Sequence, residues 1–357
     1  MRQRMEQNRA FLGNIFRKGP FQGHGFTVST GTTPIWAVGD YATSDRPVKE
    51  WLPWIVERYL KNKQFAEAAG DDSVPLVGFN SGTHIYAAAM GAETHHFEDS
   101  NPCAMPVINS VEEAERFREP ELHECRPLVR ILEMAELVKK ELGNEVILGP
   151  PDMQSGFDSA CLVWNKESIF CAMMLDEEKE AVHRFVKKCA NVFKKFIVEF
   201  YRLYPDACLS HCPMTYVPQG MGPWLSNDEC GALSVPMFEE FCLPELVNLA
   251  TTFGGLGMHC CADAEHQFPS FKKIPNFYAF NRVQARHGYE PILEPLGGPG
   301  GPVFVLAWID DETIERLLRK APAGTRFVFN RGFEQVDEAK AWLEKMRTLS
   351  PRTDGAI

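Results

Sequence analysis

No stretch of the 357 residues comes near the roughly 18 consecutive apolar positions that a membrane-spanning helix needs. Positive charge is also scarce. Against 48 aspartates and glutamates stand 37 lysines and arginines, a net charge of −11. A polyanion meets general repulsion on such a surface, and no basic run with interleaved aromatics counters it. Neither a membrane nor a nucleic acid is therefore an expected partner. The opening residues Met1-Arg2-Gln3-Arg4-Met5-Glu6 are charged and lack the apolar centre of a secretion signal. The 11 cysteines are odd in number and irregularly spaced, which fits reduced thiols in a cytoplasm better than a disulfide framework. No G-x-G-x-x-G follows a strand-like run, which argues against an open dinucleotide-binding sheet. Gly297-Gly298-Pro299-Gly300-Gly301 has a phosphate loop's glycines without its lysine or its following helix, and reads as a flexible turn.

What the chain does contain is alternation. Short β-rich runs lie at 33–38, 74–79, 145–152, 206–212, 276–281, 302–307 and 326–330, with one more ending in His259 and Cys261. Helical patterns follow most of them, at about 48–69, 122–142, 176–204, 235–253, 311–320 and 336–346. Eight such units predict a single α/β domain, a (β/α)8 TIM barrel over residues 31–350, after a helical lead and loop over 1–30. In a parallel barrel the strand ends open onto one face, where active residues gather. That singles out Asp40, Asn80, Asp152, His211, Asn281, Arg282, Asn330 and Arg331, although strand ends also turn polar simply because loops face water. Asp152 and His211 are the candidates for orienting an acceptor or moving a proton, and the other six for contacting a small-molecule substrate. Asp71-Asp72 reads as a turn or helix end, and His95-His96 as exposed loop.

The run Gly255-Leu256-Gly257-Met258-His259-Cys260-Cys261-Ala262-Asp263 carries the sharpest chemistry. His259 and Cys261 alternate along an extended chain, so their side chains leave on one face. An imidazole and a soft thiolate aimed at one spot suit Zn²⁺ better than Mg²⁺ or Ca²⁺, which prefer oxygen ligands. Buried strand-end cysteines are the plainer alternative. Two ligands make half a site.

Cys230-Gly231-Ala232-Leu233-Ser234-Val235-Pro236-Met237-Phe238-Glu239-Glu240-Phe241-Cys242-Leu243-Pro244 resembles the "G-x-L-S-x-x-x-F-x-x-F-x-x-P" helix of the uroporphyrinogen decarboxylase superfamily. The Gly257-Met258-His259-Cys260-Cys261 strand follows at the distance seen there. Thr33-Pro34-Ile35-Trp36 and Phe327-Val328-Phe329-Asn330-Arg331-Gly332 echo the family near either end, so the similarity covers roughly residues 30–347. The superfamily includes the decarboxylase itself and zinc-dependent, corrinoid-linked methyltransferases, all on one barrel that often pairs into a homodimer.

The decarboxylase branch holds its polycarboxylate substrate with two arginines after the first strand. Here that place reads Ala37-Val38-Gly39-Asp40-Tyr41-Ala42, an acid and no arginine. The family's aspartate after the second strand falls near Ser81-Gly82, and its C-terminal histidine is absent from Asn330-Arg331-Gly332-Phe333. The methyltransferase branch binds zinc through an H-x-C on the fifth strand, matched by His259 and Cys261, and a later cysteine, which is missing. No cysteine follows Cys261. Since catalytic zinc usually takes three protein ligands, a third would come from Cys230, Asp228, Cys212, His211 or His266. The resemblance therefore implies a methyltransferase that moves a methyl group between a corrinoid or other donor and a thiol, with a corrinoid protein as partner. The alternatives are a metal-independent decarboxylase or lyase, and a non-catalytic barrel that binds a corrinoid or tetrapyrrole.

Overall fold

Parallel pairing dominates the architecture. The computed structural model describes residues 2–31, 35–79, 81–283 and 286–353. In chain order the strands are β1 (Gly25–Ser29), β2 (Leu76–Val77), β3 (Glu93–His95), β4 (Cys103–Met105), β5 (Ile147–Leu148), β6 (Trp224–Ser226), β7 (Leu256–Cys260), β8 (Phe277–Arg282), β9 (Val303–Ala307) and β10 (Phe327–Gly332). Six of them form one parallel sheet in the order β1-β10-β9-β8-β7-β6. β2 and β5 make a separate parallel pair, and β3 and β4 an antiparallel hairpin. β7, β8 and β9 are buried at every residue, as parallel strands are when helices cover them. This is the α/β arrangement of a (β/α)8 chain, with the ladder interrupted on either side of the β2–β5 pair.

Side chains and single backbone bonds span the two interruptions. On one side the Asp72 carboxylate accepts the Phe26 N–H at 2.9 Å and the Asp71 carboxylate accepts the Val28 N–H at 2.8 Å. Asp72 N–H in turn donates to the Phe26 carbonyl at 3.0 Å. On the other, Cys208 N–H donates to the Leu148 carbonyl and Trp224 N–H to the Leu209 carbonyl. An unpaired buried strand edge is costly, because each orphaned N–H or C=O loses its water without replacement. Asp71 and Asp72 thus do the work of a missing ladder.

Two of the expected strands are not strands. Ile35–Val38 is a short helix, and residues 32–34, with the Thr33-Pro34 half of that motif, lie outside the described residues. The strand that takes its place is β1, inside the segment read as a leading loop. An apolar run of four residues carries no periodicity that separates the two states. Residues 206–212 reach neighbouring segments by the two backbone bonds above but form no ladder, whereas β6, expected as loop, pairs with β7. The long helices fall where the 3.6-residue pattern puts them, at Leu52–Ala69, Arg126–Leu142 and Lys179–Leu203.

The first helix, Arg2–Phe16, closes one end of the sheet. Its Phe11, Leu12, Ile15 and Phe16 pack with Ile147, Trp224, Tyr278, Val303 and Val328 from five strands. Two clefts of about 410 and 390 Å³ open beside it, one flanked by Lys18 and Phe277 and the other by Arg9 and Tyr216. With this end plugged, the opposite, C-terminal strand ends are left for chemistry.

His24 provides a pH signature here. Its Nδ1 accepts the Phe327 N–H at 3.3 Å, which requires a neutral ring. Burial, and then the Arg326 charge, lower its pKa from 6.5 to about 4. The folded-state pKa lies below the unfolded one, so the stability it contributes is complete above pH 6.5 and is lost as pH falls towards 4. Denaturant melts at pH 7 and pH 4 should differ by up to about 3 kcal/mol from this group, and His24→Gln should remove that share of the difference.

Candidate metal centre

Asp228, His259 and Cys261 each present a ligand atom, and these atoms lie within 4.8 Å of one another. No other group of histidine, cysteine and carboxylate side chains among the described residues meets that condition. His259 is the penultimate residue of β7, Cys261 follows immediately beyond it, and Asp228 lies just past the end of the neighbouring β6. β6 and β7 are in register, Ser226 beside His259, so parallel pairing alone brings Asp228 alongside the H-x-C. The Asp228 carboxylate accepts the Cys261 N–H at 2.6 Å and lies 3.9 Å from His259 Nε2.

Two buried features hold the Asp228 loop. The Asp158 carboxylate accepts the N–H groups of Asp228 and Glu229, at 2.6 and 3.2 Å. Burial, and then the Asp228 charge, push the Asp158 carboxyl well above the usual range. Gly231 brings the loop close to the strand end, because a Cβ there would stand 2.5 Å from the Ala262 Cβ. The glycine of the G-x-L-S motif is thus a packing requirement of the site.

His259 is held by its other nitrogen. Nδ1 lies 2.6 Å from Asn281 Oδ1 and 3.1 Å from the Cys212 carbonyl. Beside it, His211 Nε2 lies 3.1 Å from Ser226 Oγ and 3.5 Å from an Asp152 oxygen, and the two imidazole centroids are 6.2 Å apart. Asp152 also accepts from Gln154 Nε2 at 2.5 Å, and its own N–H donates to Ser81 Oγ. Burial lowers the His211 pKa, against a smaller upward pull from Asp152. Burial, and then Asp228, raise the Cys261 thiol far above its ordinary value.

The remaining strand-end residues divide. Asp40 is buried, with His84 Nε2 at 2.6 Å and the Thr43 hydroxyl and Ala42 N–H donating to it. Burial would raise its pKa, but the His84 bond and charge with those two donors outweigh it and hold the carboxylate low. Arg282 is buried, pairs with Glu265 and lies over the Phe268 ring. Asn330 donates to Thr27 Oγ1 at 3.0 Å, and Arg331 pairs with Asp311. Asp40, Asn330 and Arg331 are thus engaged with other side chains of the protein, whereas Arg282 stands beside Cys260 in the β7–β8 register. Asn80 lies outside the described residues.

Of the third-ligand candidates, the fold selects Asp228. Cys230 Sγ turns to the Asn227 carbonyl at 3.0 Å and to Cys260 Sγ at 3.8 Å, and His266 bonds the Leu233 carbonyl. Cys212 offers His259 a backbone carbonyl. The spacing from Asp228 to His259 gives no hint of this, since strand pairing and not local sequence joins them.

The parallel strands, with a candidate metal triad at the ends of β6 and β7, place the chain in the parallel α/β class. Sequence comparison assigns it further. The uroporphyrinogen decarboxylase (URO-D) family profile matches residues 28–282, and the chain belongs to that family. Its fold is the TIM barrel. No curated protein matches the chain in sequence. Among solved structures, a methyltransferase from Methanosarcina mazei is similar at a TM-score of 0.65 and 13% identity, over 96% of this chain and 98% of that one. The homocysteine methyltransferase MmuM from Escherichia coli aligns at a TM-score of 0.36 and 12% identity, over 96% of this chain and 85% of the other.

Proposed function

We propose that the protein is a zinc-dependent methyltransferase that moves a methyl group between a corrinoid or other methyl donor and a thiol. The observation that carries this reading is the Asp228–His259–Cys261 cluster. Its oxygen, nitrogen and sulfur donors fit zinc, and three protein ligands leave a fourth position for a substrate. One aspartate and one thiolate also balance the charge of the dication. Bound zinc would act as a Lewis acid that holds a substrate thiol as the nucleophilic thiolate at neutral pH.

The chain's own residues account for the rest. Asp228, which accepts the Cys261 N–H in the metal-free protein, would serve as its co-ligand. His211, held neutral by burial and oriented by Asp152 and Ser226, takes the proton of the incoming thiol. The thiolate sulfur then attacks the methyl carbon, and the donor–methyl bond breaks with its electron pair left on the donor, which for a methylcorrinoid departs as the Co(I) corrinoid. A methyltransferase from Methanosarcina mazei has a similar fold, which supports methyl transfer on this scaffold. The absence of arginines at Ala37–Ala42 speaks against a polycarboxylate substrate. We place the enzyme in the cytoplasm, as a homodimer working with a corrinoid protein.

Thioether formation from a methylcorrinoid and a panel of thiols, followed by mass spectrometry, tests the reading directly. His211→Ala should slow transfer by about 10²–10⁴-fold with metal content unchanged; loss of metal would make His211 a ligand instead of a base. The second reading is a decarboxylase or other lyase, favoured by the family match itself. It predicts turnover of a carboxylic acid that chelators and Cys261→Ser leave intact.

A further inference from the structure

Asn281 stands opposite His259 in the β7–β8 register and is fully buried. Its amide has two neighbours of unequal character. The Nδ2 group lies 2.6 Å from the Val305 carbonyl on β9, and Oδ1 lies 2.6 Å from His259 Nδ1. The β8–β9 ladder ends at Phe280 and Phe304, so the Asn281 side chain continues the connection between the strands one residue further.

The direction of every proton in this chain follows from chemistry. A carbonyl oxygen only accepts, so the amide NH₂ must face Val305. Oδ1 then faces His259, and an amide oxygen also only accepts, so Nδ1 must carry the proton. The Cys212 carbonyl, 3.1 Å from the same nitrogen, makes the same demand. In the neutral ring that leaves Nε2 with its lone pair, and Nε2 is the nitrogen facing Asp228.

We infer that Asn281 is a positioning residue that fixes His259 in the Nδ1–H tautomer and so presents Nε2 as a ready metal ligand. Substrate contact is not its role. The inference rests on the metal-centre reading for its purpose, but the tautomer exists without any metal. A ligating histidine whose other nitrogen is held by an acceptor keeps its orientation and basicity, and losing such a partner typically costs 10–100-fold in metal affinity.

Two measurements test this. In the metal-free wild type, long-range ¹⁵N–¹H correlation of the histidine rings, with His259→Gln to assign the signal, should show His259 protonated at Nδ1. Protonation at Nε2 would overturn the inference whether or not the protein ever binds zinc. Zinc competition against a chromophoric chelator then reads the consequence. Asn281→Leu keeps the volume but offers no acceptor, and should weaken zinc about 10–100-fold. Asn281→Asp keeps an acceptor towards Nδ1 and should retain affinity closer to wild type, although its buried charge opposes the Val305 carbonyl and lowers the melting temperature. A packing role predicts the reverse order, with leucine tolerated and aspartate not. Equal affinity in Asn281→Leu and wild type would refute the inference while leaving the methyltransferase reading standing. Absence of zinc from every protein, with the Nδ1–H tautomer intact, would sink the methyltransferase reading alone.

Discussion

His259→Ala and Cys261→Ser are each expected to strip the protein of metal and to lower methyl transfer by at least about 10³-fold, the scale on which losing a key charge-stabilising group is felt. Both lie at the one place among the described residues where three donor types converge. Neither change should unfold the chain. His259 is replaced by a smaller residue at the rim of the core, and Cys261 is half-buried at a strand end. Metal analysis, transfer rate and circular dichroism on the same preparations check the three parts together. Asp228→Asn should fall between, because the amide still accepts the Cys261 N–H through its oxygen but brings no charge to the metal. If the two ligand variants kept wild-type rates, the triad would have no part in the reaction.

Asp72→Ala is expected to cost about 3–5 kcal/mol of stability, the price of breaking a buried ion pair from one side. The carboxylate is wholly buried and receives Arg347 at 2.8 Å and Arg352 at 2.7 Å, besides the Phe26 N–H. Alanine removes the carboxylate that two guanidinium groups and a strand-edge amide share, although Arg352 still reaches Asn8 Oδ1. Arg352 also lies 3.9 Å over the Phe11 ring of the plugging helix, so the loss reaches both ends of the chain and the seam beside β1. Urea unfolding measures the cost. Asp72→Asn should recover the amide contact but not the charge, and fall in between. A change within about 0.5 kcal/mol, the range of an ordinary surface substitution, would show that the seam holds without this residue.

The strands and helices that were legible in the sequence share a physical character. β7 to β10 and the helices Lys179–Leu203 and Asp311–Lys320 carry long, consistent patterns of burial, and period and composition report burial. β1 was hidden, because Phe26 and Val28 sit in a glycine-rich stretch and part of the strand's pairing comes from carboxylates 43 and 46 residues away. Asp71-Asp72 looked like a turn for the same reason. Its function is to satisfy another strand's backbone, which leaves no local trace.

The site was half legible. His259 and Cys261 lie two residues apart, and the alternation of an extended chain brings them to one face. Asp228 was one of five third-ligand candidates, and only the β6–β7 register separates it from Cys230 and His266. Asn281 was marked by its position at a strand end as a substrate contact, whereas its two short hydrogen bonds tie it to His259 and Val305. Asp40 was marked in the same way and is buried against His84. Position at a strand end selects a residue for the face; only the neighbours decide what it touches.

The most direct test of the account is the metal content of the wild-type protein, purified anaerobically without added zinc and measured by mass spectrometry against amino-acid analysis. The account predicts about one zinc per chain, as one three-ligand site requires, lost on dialysis against a strong chelator and restored on adding zinc back. A protein that carries no zinc as isolated and takes up none when it is offered would contradict it.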